Sequence, residues 1–275
     1  MNTYFKENNL TIGPNLVTWA VFWSSFALWI LSIVNTLKKQ VSGGSSNLIG
    51  TLCCGSRLVC CHLRDSTSLT PRELDDIFIM QTVFAAILQG LAASLLGAFG
   101  HNWVHQPGYM WAAVLSLDTI GFSSQGWYRE HVLQHHMYTN TPLDNHFRGT
   151  DPFINTDPTV PKSYFNKMCA IMNPLVLAFG LPGNYIIHLV ELFNGRETWT
   201  IGKSFFPITV ALLVNACGWR RGLFLMFVQC ATLGNHYFTM ALMNHNSEHC
   251  QVSERMDPVM KIIFSELGQF THFTL

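Results

Sequence analysis

Apolar and polar positions already divide the chain into segments. Residues 15–35 are almost wholly apolar and about as long as a bilayer core requires. This run has no basic leader and no small-residue cleavage site, so it reads as an anchor rather than a signal peptide. Residues 77–100 form a second candidate span. Upstream, Thr70-Pro71-Arg72-Glu73 has the look of a helix start with proline at the first position. Residues 109–122 are apolar but short, and Asp118 interrupts them, so this segment is expected to lie in the membrane interface rather than to cross. Pro152, Pro158 and Pro161, with Pro142 upstream, mark residues 149–162 as loop. Residues 169–190 are broken by Leu181-Pro182-Gly183 and read as a bent or half-embedded segment. Residues 205–217 and 222–243 form a helical hairpin around Gly218-Trp219-Arg220-Arg221. The pattern predicts an all-α, multi-pass integral membrane protein.

Composition strengthens that picture. Only 12% of the 275 residues are charged, about half the share of an ordinary globular domain, and 20 Phe and 8 Trp accompany the deficit. The formal net charge is zero, which gives no reason to expect a nucleic-acid partner. Eight cysteines do not form a secreted disulfide pattern: four are the adjacent pairs Cys53-Cys54 and Cys60-Cys61. Adjacent pairs lack the two-residue spacing of a zinc knuckle, leaving reduced cytosolic thiols or palmitoylation beside a membrane helix. The chain divides into an N-terminal anchor with a basic, cysteine-containing loop (residues 1–76) and a second domain (residues 77–275).

Candidate chemistry sits at the edges of the apolar runs. His101-Asn-Trp-Val-His105 and His131-Val-Leu-Gln-His135-His136 lie about thirty residues apart, and Asn244-His245-Asn-Ser-Glu-His249 follows the hairpin. Neutral imidazole is the commonest nitrogen ligand for transition metals. On an α-helix, i,i+4 spacing puts His101 with His105 and His131 with His135 on one face, and turns His136 about 100° away toward a second ion. A single catalytic zinc needs three protein ligands; this larger set favours two metals, and histidines with few carboxylates suit iron, zinc or copper. Glu130, Asp118, Asp144 and Asp151 are candidates to accept the outer ring N–H of a ligating histidine. Arg129 and Trp127 are candidates to place a head group or redox partner, and His188 and His236 read as hydrogen-bonded core residues. An iron oxidase acting on lipid is the reading these clusters favour.

Both boxes lie on one membrane face, because the segment between them is too short to cross. Two crossings by the hairpin then return His245 to that face, provided residues 169–190 do not cross fully. Lys38, Lys39, Arg57, Arg64 and Arg72 make the first loop basic, which by the positive-inside rule places it in the cytosol and the boxes in the lumen. The sequon Asn9-Leu10-Thr11 points the same way. Reducing power and iron are supplied on the other side, and the expectation is a cytosolic histidine-box cap.

Gly126-Trp-Tyr-Arg-Glu-His131-Val-Leu-Gln-His135-His136-Met-Tyr-Thr-Asn140, followed by Gly149-Thr-Asp151-Pro152, resembles the second histidine box of membrane fatty acid desaturases, closest to the front-end type. Gly100-His101-Asn-Trp-Val-His105 is similar to the first box, and Met243-Asn244-His245 to the isolated ligand that follows the fourth membrane helix. The resemblance implies two iron ions held by His101, His105, His131, His135, His136, His245 and His249, facing the cytosol at the endoplasmic reticulum membrane. It implies a fatty acyl lipid and O2 as substrates, with electrons from cytochrome b5 and its reductase. The family's third box is absent: residues 246–250 give a near-match only, and the sequence ends at Leu275 before that box's usual position. A truncated, non-catalytic isoform is therefore one alternative, and a lipid hydroxylase with the same boxes is another. No His-Pro-Gly-Gly motif occurs, so no fused cytochrome b5 domain is expected.

Overall fold

The computed structural model describes residues 14–43, 71–138, 144, 153 and 161–245. Every regular element among them is helical. Helix α1 (Leu16–Gly43) and helix α2 (Pro71–Val104) contain Leu16–Leu37 and Ile79–Val104, two stretches long and apolar enough to cross a bilayer. Asn15 starts α1 by accepting the amide of Thr18 at 2.8 Å, which satisfies one of the donors orphaned at a helix start. Inside α1 the hydroxyls of Ser25, Ser32 and Thr36 donate to carbonyls three or four residues back. These three hydroxyls are thus satisfied within the helix itself.

The described residues form two compact units. The first comprises α1, α2 as far as Leu96, and Phe206–Thr232. Phe22 and Trp29 are fully buried in it, while Leu16, Leu31 and Met80 are mostly exposed. A Cβ on Gly90 would stand 2.6 Å from both the Gln229 carbonyl and the Thr232 Cβ, so only glycine permits that close approach.

The second unit comprises Gly97–Phe205 and the residues from Leu233 onward, and it is built from short pieces. After a 3₁₀ turn come α3 (Met110–Ala113) and a π-helical segment (Val114–Asp118). Then follow α4 (Ser124–Trp127), a second π-helical segment (Tyr128–His135) and α5 (His136–Tyr138). Further on are α6 (Tyr164–Ile171), α7 (Asn173–Ala178) and α8 (Gly180–Phe193). The hairpin consists of α9 (Phe205–Cys217) and α10 (Trp219–His245), which turn at Gly218 with φ 77°.

Residues 109–122, expected in the interface, bury Leu117, Asp118 and Thr119 fully within the second unit. Two sequence readings change here. The break expected at Leu181-Pro182-Gly183 lies earlier, at Met172 and Phe179. Pro182 falls in the first turn of α8, where a missing N–H costs no intrahelical bond. The hairpin's second helix starts at Trp219, and Arg220 stacks over its ring at 5.1 Å. Of the expected loop at residues 149–162, only Phe153, Pro161 and Lys162 are among the described residues. The paired cysteines and the Asn9 sequon lie outside them.

Candidate metal centre

His101 lies in the last turn of α2 and His105 just past its end. Their helix can seat them beside the second box because Gly100 has no side chain: a Cβ there would lie 2.5 Å from the Leu117 side chain. His131 is buried in the second π segment, with His136 directly after it.

The imidazoles point at one another. The Nε2 of His131 lies 2.6 Å from that of His101 and 3.0 Å from that of His136. His101, His105 and His131 each offer a ring nitrogen within 4.8 Å of the others. The rings of His105 and His136 meet at 4.6 Å, nearly perpendicular. Nitrogens bound to one ion at about 2.1 Å stand about 3 to 4.2 Å apart, a range that the 3.0 Å His131–His136 separation meets and that the 2.6 Å His101–His131 separation approaches from below. Neutral imidazole donors in this number suit a transition metal, iron included, and the donor set fits.

The π segment keeps His131 with His135 on one face, as the spacing predicts, and revises the place of His136. Its hydrogen bonds run i to i+5, and the His136 N–H reaches the His131 carbonyl. The wider turn brings His136 beside His131, where an α-helix would have turned it away. His135 stacks on His131 at 5.2 Å and presents Nδ1 to both oxygens of Asp144 at 2.9 Å. A carboxylate accepts only, so Nδ1 carries the proton and Nε2 keeps its lone pair for a metal. Both His135 and Asp144 are buried.

The other nominated residues do different things. Trp127 stacks on His131 at 5.1 Å and meets His101 edge-on, forming a wall of the histidine cluster. Arg129 pairs with Glu130 at 3.1 Å and reaches Glu191 and Glu197 at 3.5 Å. Asp118 accepts the Ser124 amide at 2.6 Å and a hydrogen bond from the Thr200 hydroxyl. Burial outweighs these bonds and raises the Asp118 pKa. His245 is the last residue of α10, while Asp151 and His249 lie outside the described residues.

A second polar cluster, centred on Glu197, escaped the sequence reading. The turn after α8, with Gly195 at φ 70°, buries this carboxylate. Ser123 donates to it at 2.6 Å, His188 Nδ1 at 2.8 Å and Lys203 Nζ at 2.9 Å. Burial alone would push the Glu197 pKa up; the bonds from His188, Ser123 and Lys203 more than offset it and hold the pKa at about 2. His188 is thus a hydrogen-bonded core residue, as its apolar setting predicts. The signal available in the sequence was Arg196, Glu197 and Lys203 gathered between apolar segments of a charge-poor chain.

A family model for fatty acid desaturases matches residues 78–265, about two thirds of the chain. No curated protein and no solved structure matches it. The family match spans the converging histidines and Asp144, and on that extent the chain belongs to the fatty acid desaturase family.

Proposed function

We propose that this chain desaturates a fatty acyl lipid at two iron ions, on the cytosolic face of the endoplasmic reticulum membrane. Family membership makes it a membrane-bound oxidoreductase whose substrates are a fatty acyl chain and O2. The observation that carries the finer reading is the convergence of His101 and His136 on His131, with His135 oriented by Asp144 beside them. Five histidines exceed what one catalytic metal takes from a protein, which supports two. His101, His105, His131, His135 and His136 would hold the ions, joined by His245 and His249.

Iron, when bound, supplies the activation of O2 needed to attack an unactivated methylene pair. Two hydrogens leave the acyl chain, two electrons arrive from cytochrome b5 and its reductase, two protons follow, and O2 leaves as two waters. The chain's own residues fix the geometry. Asp144 holds the His135 proton on Nδ1, and Trp127 walls off His131. The run at residues 126–140 supports the front-end type, and α1 and α2 would cross the bilayer, with the α9–α10 hairpin completing a multi-pass topology.

Iron counted per polypeptide in the detergent-purified chain, with lipid analysis of expressing cells, tests this. About two irons and a new double bond are expected, and His135→Ala should abolish product while leaving the protein in the membrane. A new hydroxyl would make it a hydroxylase. No iron and no product would make it a non-catalytic relative, and unchanged product from His135→Ala would overturn the di-iron assignment.

A further inference from the structure

We propose that Glu197 is a positioning residue for the histidine centre, fixing the start of the helix that carries His131, His135 and His136. The inference rests on the metal-centre reading above but concerns a residue that touches none of those histidines.

Glu197 gathers donors from both sides of a contact within the second unit. Ser123 caps, and Arg129 lies in, the helical run 124–138 that bears the histidines (α4, the second π segment and α5); His188 comes from α8, and Lys203 from the 3₁₀ turn Gly202–Ser204 before α9. Ser123 is the cap of that helix: its hydroxyl accepts the Gly126 amide at 3.1 Å while donating to Glu197. Arg129 stands two residues before His131. Neighbouring contacts repeat the tie. The Gln125 side chain exchanges two hydrogen bonds with Thr198, at 2.7 and 2.8 Å, and Asp118 takes the next amide, that of Ser124. Gly126 lets the two sides close up, since a Cβ there would fall 2.1 Å from His188 Cε1 and 2.7 Å from Glu197 Oε1.

The backbone this clamp holds is π-helical, and the π register is what places His136 beside His131. Such turns persist where surrounding contacts over-determine them. Losing the Glu197 carboxylate would also leave the buried Lys203 ammonium with the Thr198 carbonyl at 3.0 Å but without its ion-pair partner, which favours movement of the 3₁₀ turn and of the helix tied to it. The consequence reaches the metal through helix placement.

The test uses the whole 275-residue chain in detergent with Co2+ as a spectroscopic stand-in for iron. Wild type, Glu197→Ala, Glu197→Gln, Gly126→Ala and Glu191→Gln are titrated and their visible cobalt bands recorded. Glu191 bridges Arg129 and Arg196 at the edge of the cluster and serves as a charge-removal control. Glu197→Ala and Gly126→Ala should each weaken cobalt binding about tenfold, the low end for outer-shell changes, and shift the bands. Glu197→Gln keeps an acceptor oxygen and should restore part of both, and Glu191→Gln should match wild type. Wild type that binds no cobalt would sink the metal-centre reading itself. Wild type that binds, with Glu197→Ala and Gly126→Ala unchanged in affinity and bands, would overturn the positioning role alone. Should Glu197→Ala lose helical circular dichroism, Glu197→Gln and Gly126→Ala decide by the same criterion.

Discussion

The two units solve opposite problems. In the first, α1 and the start of α2 run unbroken, hydroxyls bond back to their own helix, and large apolar side chains such as Leu16, Leu31 and Met80 face outward. In the second, helices break into short pieces with two π-helical segments, and Asp118, His131, His135, Asp144, Glu197 and Lys203 are all buried. Hydrocarbon solvent rewards uniform helices and penalises every unsatisfied polar group. A metal site needs buried polar groups, each held by a partner, and irregular backbone to aim them. Regularity and chemistry thus separate in this chain, and substitutions in each unit should fail in different ways.

The largest effect is expected at His131, where both Nε2 contacts meet. His131→Ala should abolish product and lower bound iron in the same preparation, with helix content unchanged by circular dichroism. Retained iron would show that His131 is a packing residue between His101 and His136. Next, Asp144→Ala removes the acceptor that orients His135. Metal affinity or activity should fall about 10- to 100-fold, read by iron titration and turnover. An unchanged affinity would mean that stacking on His131 alone holds that ring.

The same contrast explains what the sequence disclosed. Apolar runs of bilayer length revealed α1 and α2, because a long uniform helix is written in composition and period. The histidine boxes were visible as residue types at short spacing. The i,i+4 spacing paired His131 with His135, but the place of His136 was not legible, because the π register that joins it to His131 has no local signature in residues 128–135. Asp144 was nominated among four carboxylates, but nothing in the sequence distinguished it from Asp118, which ties the Ser124 amide instead. Glu197 went unnoticed because its role is assembled by residues 74 and 9 positions away, Ser123 and His188, which only the fold brings together. Pro182 was read as a break because proline ends helices, yet it sits in a first turn, where it is harmless.

A smaller effect tests the first unit. Gly90→Ala places a methyl 2.6 Å from the Gln229 carbonyl and should cost about 1–3 kcal/mol of stability, seen as a lower thermal midpoint in detergent. Iron binding by the protein that remains folded should be unchanged. Loss of iron at full stability would mean that the two units do not divide regularity from chemistry.

The smallest effect near neutral pH, and the sharpest on the second unit, concerns Glu197. Its pKa is lowered from the ordinary 4.5 to about 2, so the unfolded chain binds a proton more readily than the folded one. The stabilisation this provides is fully present above pH 4.5 and is lost as pH falls toward 2. Between pH 7 and 5 the group contributes no slope. Glu197→Gln cannot titrate, so the difference in thermal midpoint between wild type and this variant should be constant from pH 7 to 5 and shrink below about 4.5. A gap that instead stays constant down to about pH 3 would mean that the donors around Glu197 do not hold its carboxylate in the charged form.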